Sequence, residues 1–298
     1  MKAGSLDEIN PSALFEYKIS ENVAASFSAE WLNASGKYKF RYRRVNPAGE
    51  IAYDTTAVRE NGDINATRLE AGLYGTIERG TWNAKVYNYN SERGIPGAIV
   101  NNVWRRGERV WDTNSFFQGS FVKEVNDQFK TQVNAKYAFY RTHYVNNDDK
   151  LIEVDNLYKQ REVYVSTANM YTIFPFWDVS MSYDFQWNEM KADMYGFVFP
   201  TRFTNLLSIA TALRLGKVKL QGSGLATFVN DRVKEGPAPK ARQILTPAVF
   251  LSYKLFDKHD FSLRAFYKKT FRMPTFNDLY YADMGNSKLD PEYVTQNN

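Results

Sequence analysis

The sequence predicts an all-β fold: an antiparallel, up-and-down sheet of about twelve strands, an incompletely closed fragment of a transmembrane β-barrel. Three observations predict it. Apolar and polar residues alternate with period two, the connections are short at one end of the strands and long at the other, and charge keeps off the centre of the apolar face. With 20 Tyr, 21 Phe and 6 Trp in 298 residues, the chain has the aromatic bias of strands and interfaces. No uncharged apolar stretch reaches the roughly 18 residues of a membrane-spanning helix, a test that leaves barrels untouched because alternation dilutes their apolar residues.

Taken in order, one face of each strand reads as apolar. The first carries Val23, Ala25, Phe27, Ala29 and Trp31, the next Leu69, Ala71, Leu73 and Ile77, and a third Val133, Ala135, Tyr137 and Phe139. Residues 112–124 are the least regular. The clearest strand sets Trp177, Val179, Met181, Tyr183, Phe185 and Trp187 against Asp178, Ser180, Ser182, Asp184, Gln186 and Asn188. That run is long beside the roughly five to six residues usual in soluble domains, and it matches the roughly nine to eleven needed to cross a bilayer at a tilt. Leu207 to Leu215, Val218 to Phe228, Val249 to Leu255 and Phe261 to Tyr267 continue the pattern.

Short turns are expected at Ser20-Glu21-Asn22, Arg79-Gly80, Val125-Asn126-Asp127, Phe174-Pro175-Phe176, Gly216-Lys217 and Asp257-Lys258-His259. Between them lie long polar segments over 34–66, 91–111, 144–159, 189–204 and 230–243, all at the opposite end. Outer-membrane barrels have this asymmetry, with short periplasmic turns and long extracellular loops. A charge on the lipid face costs about 2–4 kcal/mol at mid-bilayer and roughly 0–1 near an interface. Two charges that continue an apolar face, Arg141 and Lys269, fall at the long-loop end, where a basic side chain can snorkel to the headgroups. Arg68, Glu70, Lys85, Lys136, Asp184 and Lys219 fall on the other face and imply a wet lumen. A soluble β-sandwich also alternates, but strand length, loop asymmetry and aromatics at strand ends favour the membrane barrel.

Composition narrows function. The chain has no cysteine and only His143 and His259, so disulfides, thiolate metal sites and Ser/His/Asp triads lack material. A balance of 38 Lys+Arg against 33 Asp+Glu, with no basic block, gives no reason to expect nucleic-acid binding. Glu60, Asp63 and Glu78 form no recognisable acid/base pair, no cofactor is implied, and an enzyme is not expected.

Phe271-Arg272-Met273-Pro274-Thr275-Phe276-Asn277-Asp278-Leu279-Tyr280, followed by Gly285-Asn286 and Leu289-Asp290-Pro291-Glu292, resembles the Phe-Arg-x-Pro … Leu-Tyr … Gly-Asn-x-x-Leu-x-Pro-Glu pattern of TonB-dependent outer-membrane receptors. Ser91-Glu92-Arg93-Gly94-Ile95-Pro96-Gly97 is similar to the segment after an early barrel hairpin in that family. The resemblance covers essentially the whole chain. It implies a barrel of about 22 strands around a plug, importing a ferric siderophore, haem, cobalamin, carbohydrate or peptide with energy from the inner-membrane TonB complex. No plug, coupling motif or signal peptide is recognised before Ser12. The expectation is therefore a single partial barrel domain over 1–298, the N-terminal half of the barrel, in the cell outer membrane. It would contact outer-membrane lipid and a nutrient ligand, reach the TonB complex only through a plug it lacks, and transport nothing alone, because an open edge leaves backbone groups unpaired. A passive pore or structural adhesin barrel is the alternative.

For a ligand site, Arg41, Tyr42, Arg43 and Arg44 interleave charge and aromatic faces where a strand enters the first long loop, suited to an anionic ligand; the plainer reading is a solvated loop facing anionic surface sugars. Trp104, Arg105 and Arg106 are a similar case. The stretch 275–284 lacks the histidine that haem receptors of the family place there, which disfavours haem; Tyr280 and Tyr281 stand in it as ligand contacts. Asn146, Asn147, Asp148 and Asp149 with Asp155 offer oxygen ligands but lack the register of an EF-hand loop, and no metal site is assigned.

Overall fold

The computed structural model describes residues 1–97, 99, 107–147, 153–256, 261–280 and 285–298. The N-terminal segments β1 (Lys2–Gly4) and β2 (Glu8–Asn10) lead into β3 (Ser12–Ser20) and β4 (Val23–Ala34), followed by β5 (Tyr38–Val45) and β6 (Ile51–Arg59). Long strands come next: β7 (Ile64–Ile77), β8 (Gly80–Ile95), β9 (Glu108–Glu124), β10 (Phe129–Asn146), β11 (Val154–Phe174) and β12 (Trp177–Ala192). The chain continues through β13 (Thr201–Leu215), β14 (Val218–Arg232), β15 (Arg242–Lys254) and β16 (Ser262–Arg272) to the short helix α1 (Phe276–Tyr280) and β17 (Glu292–Asn297). Fifteen strands form one antiparallel sheet in which each long strand pairs with the next, while β5 and β6 form a separate hairpin. Twelve of them, β3, β4 and β7 to β16, are the strands expected from the alternation. The sheet is not closed: its edges are β1 and β3 on one side and β17 on the other. On the first edge β2 and β3 both lie along β4, interrupted at Pro11, a residue with no N–H for the ladder and tolerated at a sheet edge.

Directly opposed residues share a face, so the register converts alternation along strands into rows across them. One outward row runs Phe27, Ala71, Val86, Phe117, Tyr137, Val163, Trp187 and Phe203. The next two toward the turns run from Ala25 and Leu73 to Val165 and Phe185, and from Val23 and Gly75 to Tyr183 and Leu207. No row carries a charge. These side chains face outward without a covering layer, with Val86 53% and Phe117 52% exposed, which removes the sandwich reading, since among the described residues no second sheet packs on them. From Trp177 to Trp187 the chain climbs roughly 33 Å at about 3.3 Å per residue, or about 23 Å in height at a tilt near 45°, close to the roughly 25 Å of an outer-membrane apolar band. Phe174, Phe176 and Trp177 close its lower border as a ring stack, with centroids 5.4 and 6.3 Å apart.

The structure corrects the extent of the long loops. β8 runs to Ile95, β9 starts at Glu108, β10 ends at Asn146 and β11 begins at Val154, so roughly a third to two-thirds of each polar segment at the loop end belongs to the strands. The segment 34–66 contains the whole β5–β6 hairpin. Above the lipid both faces of a strand are wet, so hydrophobic alternation fades while the backbone ladder continues. Residues 112–124 lose alternation for another reason: Phe117 points outward while Phe116 points inward and stacks on Tyr87, centroids 4.7 Å apart. The Asp257-Lys258-His259 turn lies outside the described residues.

Candidate ligand-binding site

The inner face is polar and laddered with ion pairs. Glu30 holds Arg68, Glu70 Oε1 is 2.8 Å from Lys85 Nζ, and Glu162 Oε1 is 3.0 Å from Lys136 Nζ. Lys136 also donates to the Tyr140 hydroxyl at 3.2 Å. Burial is concentrated on this face at the loop end, where the segment after β16 turns inward. There Arg202, early in β13, meets Asp231, late in β14, in a two-pronged pair: Nε to Oδ1 is 2.6 Å and Nη2 to Oδ2 is 2.7 Å, with the side chains 11% and 3% exposed. The third guanidinium nitrogen donates to the Pro274 carbonyl at 2.8 Å, and the guanidinium lies over the Phe276 ring at 5.1 Å. Tyr280 donates its hydroxyl to Asp231 Oδ2 at 3.2 Å. One buried ion pair thus grips both ends of α1.

Helix α1 is only five residues long, too short to persist on propensity. Thr275 caps it: Asp278 N–H donates to Thr275 Oγ1 at 3.2 Å, while Thr275 N–H and hydroxyl donate to Asp278 Oδ2 at 2.8 and 2.9 Å. This reciprocal box satisfies donors that a helix start leaves open, and the bonds from Thr275 hold the Asp278 carboxyl below the ordinary carboxylate range. Docked this way, Leu279 and Tyr280 are buried. Burial, then the neighbouring Asp231 carboxylate, pushes the Tyr280 phenol well above its usual pKa.

Between α1 and the inner wall lies a cleft of about 260 Å³ lined by Tyr140, Thr142, Tyr158, Gln160, Met190 and Asn277. Hydroxyls, amides, two aromatic rings and a thioether converge there, a mixture suited to a polar ligand with an apolar face. The alternation pattern does not mark these residues, nor Arg202 and Asp231. A signal existed: Arg202 and Asp231 are equally distant from the Gly216-Lys217 turn, and folding the hairpin about it sets them opposite each other.

Of the sequence-derived candidates, Arg41, Tyr42, Arg43 and Arg44 are on β5 of the projecting hairpin. Its register alternates Lys39, Arg41 and Arg43 on one side with Tyr38, Phe40, Tyr42 and Arg44 on the other. Arg41 donates from Nε and Nη2 to Asp54 Oδ1 and Oδ2 at 2.8 and 2.6 Å. That bond lowers the Asp54 carboxyl and raises the Arg41 guanidinium. Tyr42 meets the Tyr53 ring edge-on at 5.9 Å. On the aromatic side Arg59 donates to the Pro96 and Gly97 carbonyls, tying the hairpin to the next loop. The neck is pinched at Gly36 and Gly62: Gly36 has a φ of +61°, and a Cβ there would fall 2.0 Å from the Gly62 carbonyl oxygen. Tyr280 sits in α1, engaged with Asp231. Trp104, Arg105, Arg106 and Tyr281, like Asp148 and Asp149 of the oxygen-rich loop, lie outside the described residues. Asp155 is taken by His143, Oδ1 to Nε2 2.6 Å, and His143 stacks on Trp111.

Solved structures share this architecture. The copper transporter OprC matches with a TM-score of 0.74 at 14% identity over 99% of this chain and 49% of its own. The FrpB iron transporter from Neisseria meningitidis (F3-3 variant) matches with a TM-score of 0.70 at 12% identity over 91% of this chain and 46% of its own. P. aeruginosa FpvA, solved with iron-bound pyoverdine, matches with a TM-score of 0.67 at 12% identity over 99% and 44%. The chain thus spans about half the length of these structures, and identities this low speak for the fold alone. No curated protein matches the sequence. The family model described as "TonB dependent receptor-like, beta-barrel" matches residues 16–298, and the chain therefore belongs to the TonB-dependent receptor family, as a piece of its β-barrel domain.

Proposed function

We propose that this chain is a single partial barrel domain, residues 1–298, of a cell outer-membrane receptor that captures a scarce nutrient at its loop face and imports it by TonB-driven energy. The observation that carries the reading is the family match over 16–298 on a sheet whose long loops all emerge at one end, above a polar inner wall. The ligand classes are a ferric siderophore, cobalamin or a glycan. Capture is assigned to the β5–β6 hairpin, with Arg41, Tyr42, Arg43 and Arg44, and to the cleft under α1. Trp104, Arg105, Arg106, Tyr280 and Tyr281 complete the candidate set. Outer-membrane lipid surrounds the belt, and contact with the TonB complex belongs to a plug.

The test uses cells expressing the complete reading frame that contains this chain. They are offered radio-iron-loaded catecholate and hydroxamate siderophores, radiocobalt-labelled cobalamin and a tritiated oligosaccharide. The expected result is saturable accumulation of one of them that vanishes when the TonB complex is deleted or the proton gradient collapsed. Accumulation that survives both treatments would make the barrel a passive pore and overturn the proposal, as would no accumulation of any probe.

A further inference from the structure

The outward face differs sharply at its two rims. At the turn end, Lys123 is the one charged strand residue that faces outward among the described residues, and its Nζ donates to the Glu78 carbonyl at 3.1 Å. At the loop end, the register sets Arg141 directly opposite Lys159, and Lys159 directly opposite Lys191. Arg161 stands one row lower, between Phe139 and Glu189. Adjacent strands are about 4.8 Å apart, so three cations span roughly 10 Å of one row. Like charges placed opposite each other destabilise a sheet, and the carboxylates nearby offset only part of this charge. Glu189 Oε1 is 3.3 Å from Lys191 Nζ, and Asp155 is occupied by His143. Arg141, Lys159 and Arg161 are exposed and have no carboxylate partner among the described residues.

Directly beneath the cluster the belt begins with Tyr137, Val163, Trp187 and Phe203. The cations therefore sit at headgroup height on one side of the membrane only. We propose that the outward face of β10–β12 at the loop end is a docking surface for an outer-leaflet glycolipid, whose phosphates are held by Arg141, Lys159, Arg161 and Lys191 while its acyl chains descend along the belt. Arg offers a forked donor pair to phosphate oxygens and Lys a point charge. A zwitterionic headgroup would not neutralise the row, and a free phosphate would gain nothing from the apolar wall below it.

This inference rests on the reading of the chain as an outer-membrane barrel domain, and the experiment separates the two. The complete receptor, wild type and R141Q/K159Q/K191Q, is extracted from outer membranes, checked for the heat-modifiable mobility of a folded barrel, and examined by native mass spectrometry. The lipids added are bis-phosphorylated lipid A, its dephosphorylated form and phosphatidylethanolamine. Wild type is expected to retain phosphorylated lipid A at least about tenfold better than either comparison lipid, and the triple variant to lose that preference. A K219Q control, on the lumen face, should keep it. A folded triple variant that binds lipid A like wild type, or a wild type that ignores the phosphates, overturns the docking surface and leaves the receptor reading intact. Absence of the protein from outer membranes overturns both.

Discussion

Two Arg–Asp pairs in this molecule have nearly the same two-pronged geometry and sit in opposite surroundings. Arg41–Asp54 crosses the projecting hairpin at 2.8 and 2.6 Å with its side chains 68% and 26% exposed. Arg202–Asp231 joins β13 to β14 at 2.6 and 2.7 Å with 11% and 3% exposed. Geometry does not set their worth; water does. An exposed pair competes with solvent and contributes little. Breaking a buried pair strands an uncompensated charge, at a cost of about 3–5 kcal/mol. The first pair leaves its hairpin free to be chosen by a ligand, while the second fixes where the segment 273–280 lies.

The largest expected effect is therefore at Asp231. Asp231→Ala leaves Arg202 without its counter-charge and Tyr280 without its acceptor, and should cost about 3–5 kcal/mol locally, releasing α1. Because this chain has no cysteine, Leu279→Cys is a probe in a receptor whose remaining sequence is kept free of cysteine: buried now, it should resist maleimide while Asp231 is in place and react quickly once Asp231 is changed. Replacing the pair by Arg202→Met with Asp231→Leu should recover much of the protection, since an apolar pair of similar volume avoids the stranded charge. Equal labelling of all three proteins would mean the ion pair does not hold the segment.

Gly36→Ala comes next. A side chain at a left-handed φ costs roughly 1–2 kcal/mol, and here the new Cβ would also meet the Gly62 backbone. The hairpin should splay, read as faster proteolysis within 38–59 while the belt strands stay protected.

Smaller still is the α1 cap. Thr275→Ala removes the reciprocal bonds and should cost about 1 kcal/mol of helix, visible as a modest rise in labelling at Leu279→Cys. Asp278 adds a pH signature. Its carboxyl is depressed in the folded state, so its contribution is present above the ordinary carboxylate range and is lost as pH falls through the depressed value. Labelling of Leu279→Cys by a dipyridyl disulfide, which stays thiol-reactive at low pH, should therefore rise at acid pH, and the part due to this group should vanish in Asp278→Asn.

How much of this could be read in the chain varies by element for physical reasons. The belt strands were legible because lipid on one side and water on the other impose period two, as from Trp177 to Asn188. The β5–β6 hairpin reads as loop when the search is for an apolar face, although Tyr38, Phe40 and Tyr42 alternate with Lys39, Arg41 and Arg43 at the same period. A strand wet on both sides carries its pattern as aromatic against basic. Helix α1 was illegible as a helix, since five residues hold no helical period, and its position depends on a partner pair from distant strands. That pair follows from hairpin symmetry, which requires the turn to be located before its ends can be matched.

The smallest effect concerns the hairpin itself and separates two adjacent arginines. Register sets Arg43 opposite Asp54, yet Arg41 takes the carboxylate, so Arg43 keeps its charge and its donors for an incoming anion. Neither Arg41→Ala nor Arg43→Ala should shift the melting temperature of the receptor. For an anionic ferric siderophore, Arg43→Ala should raise the half-saturating concentration of uptake by about threefold, and Arg41→Ala by less, because losing Arg41 also frees Asp54 to pair with Arg43. The reverse order would place the ligand against Arg41, displacing Asp54, and no change in either would move capture away from the hairpin to the cleft beneath α1.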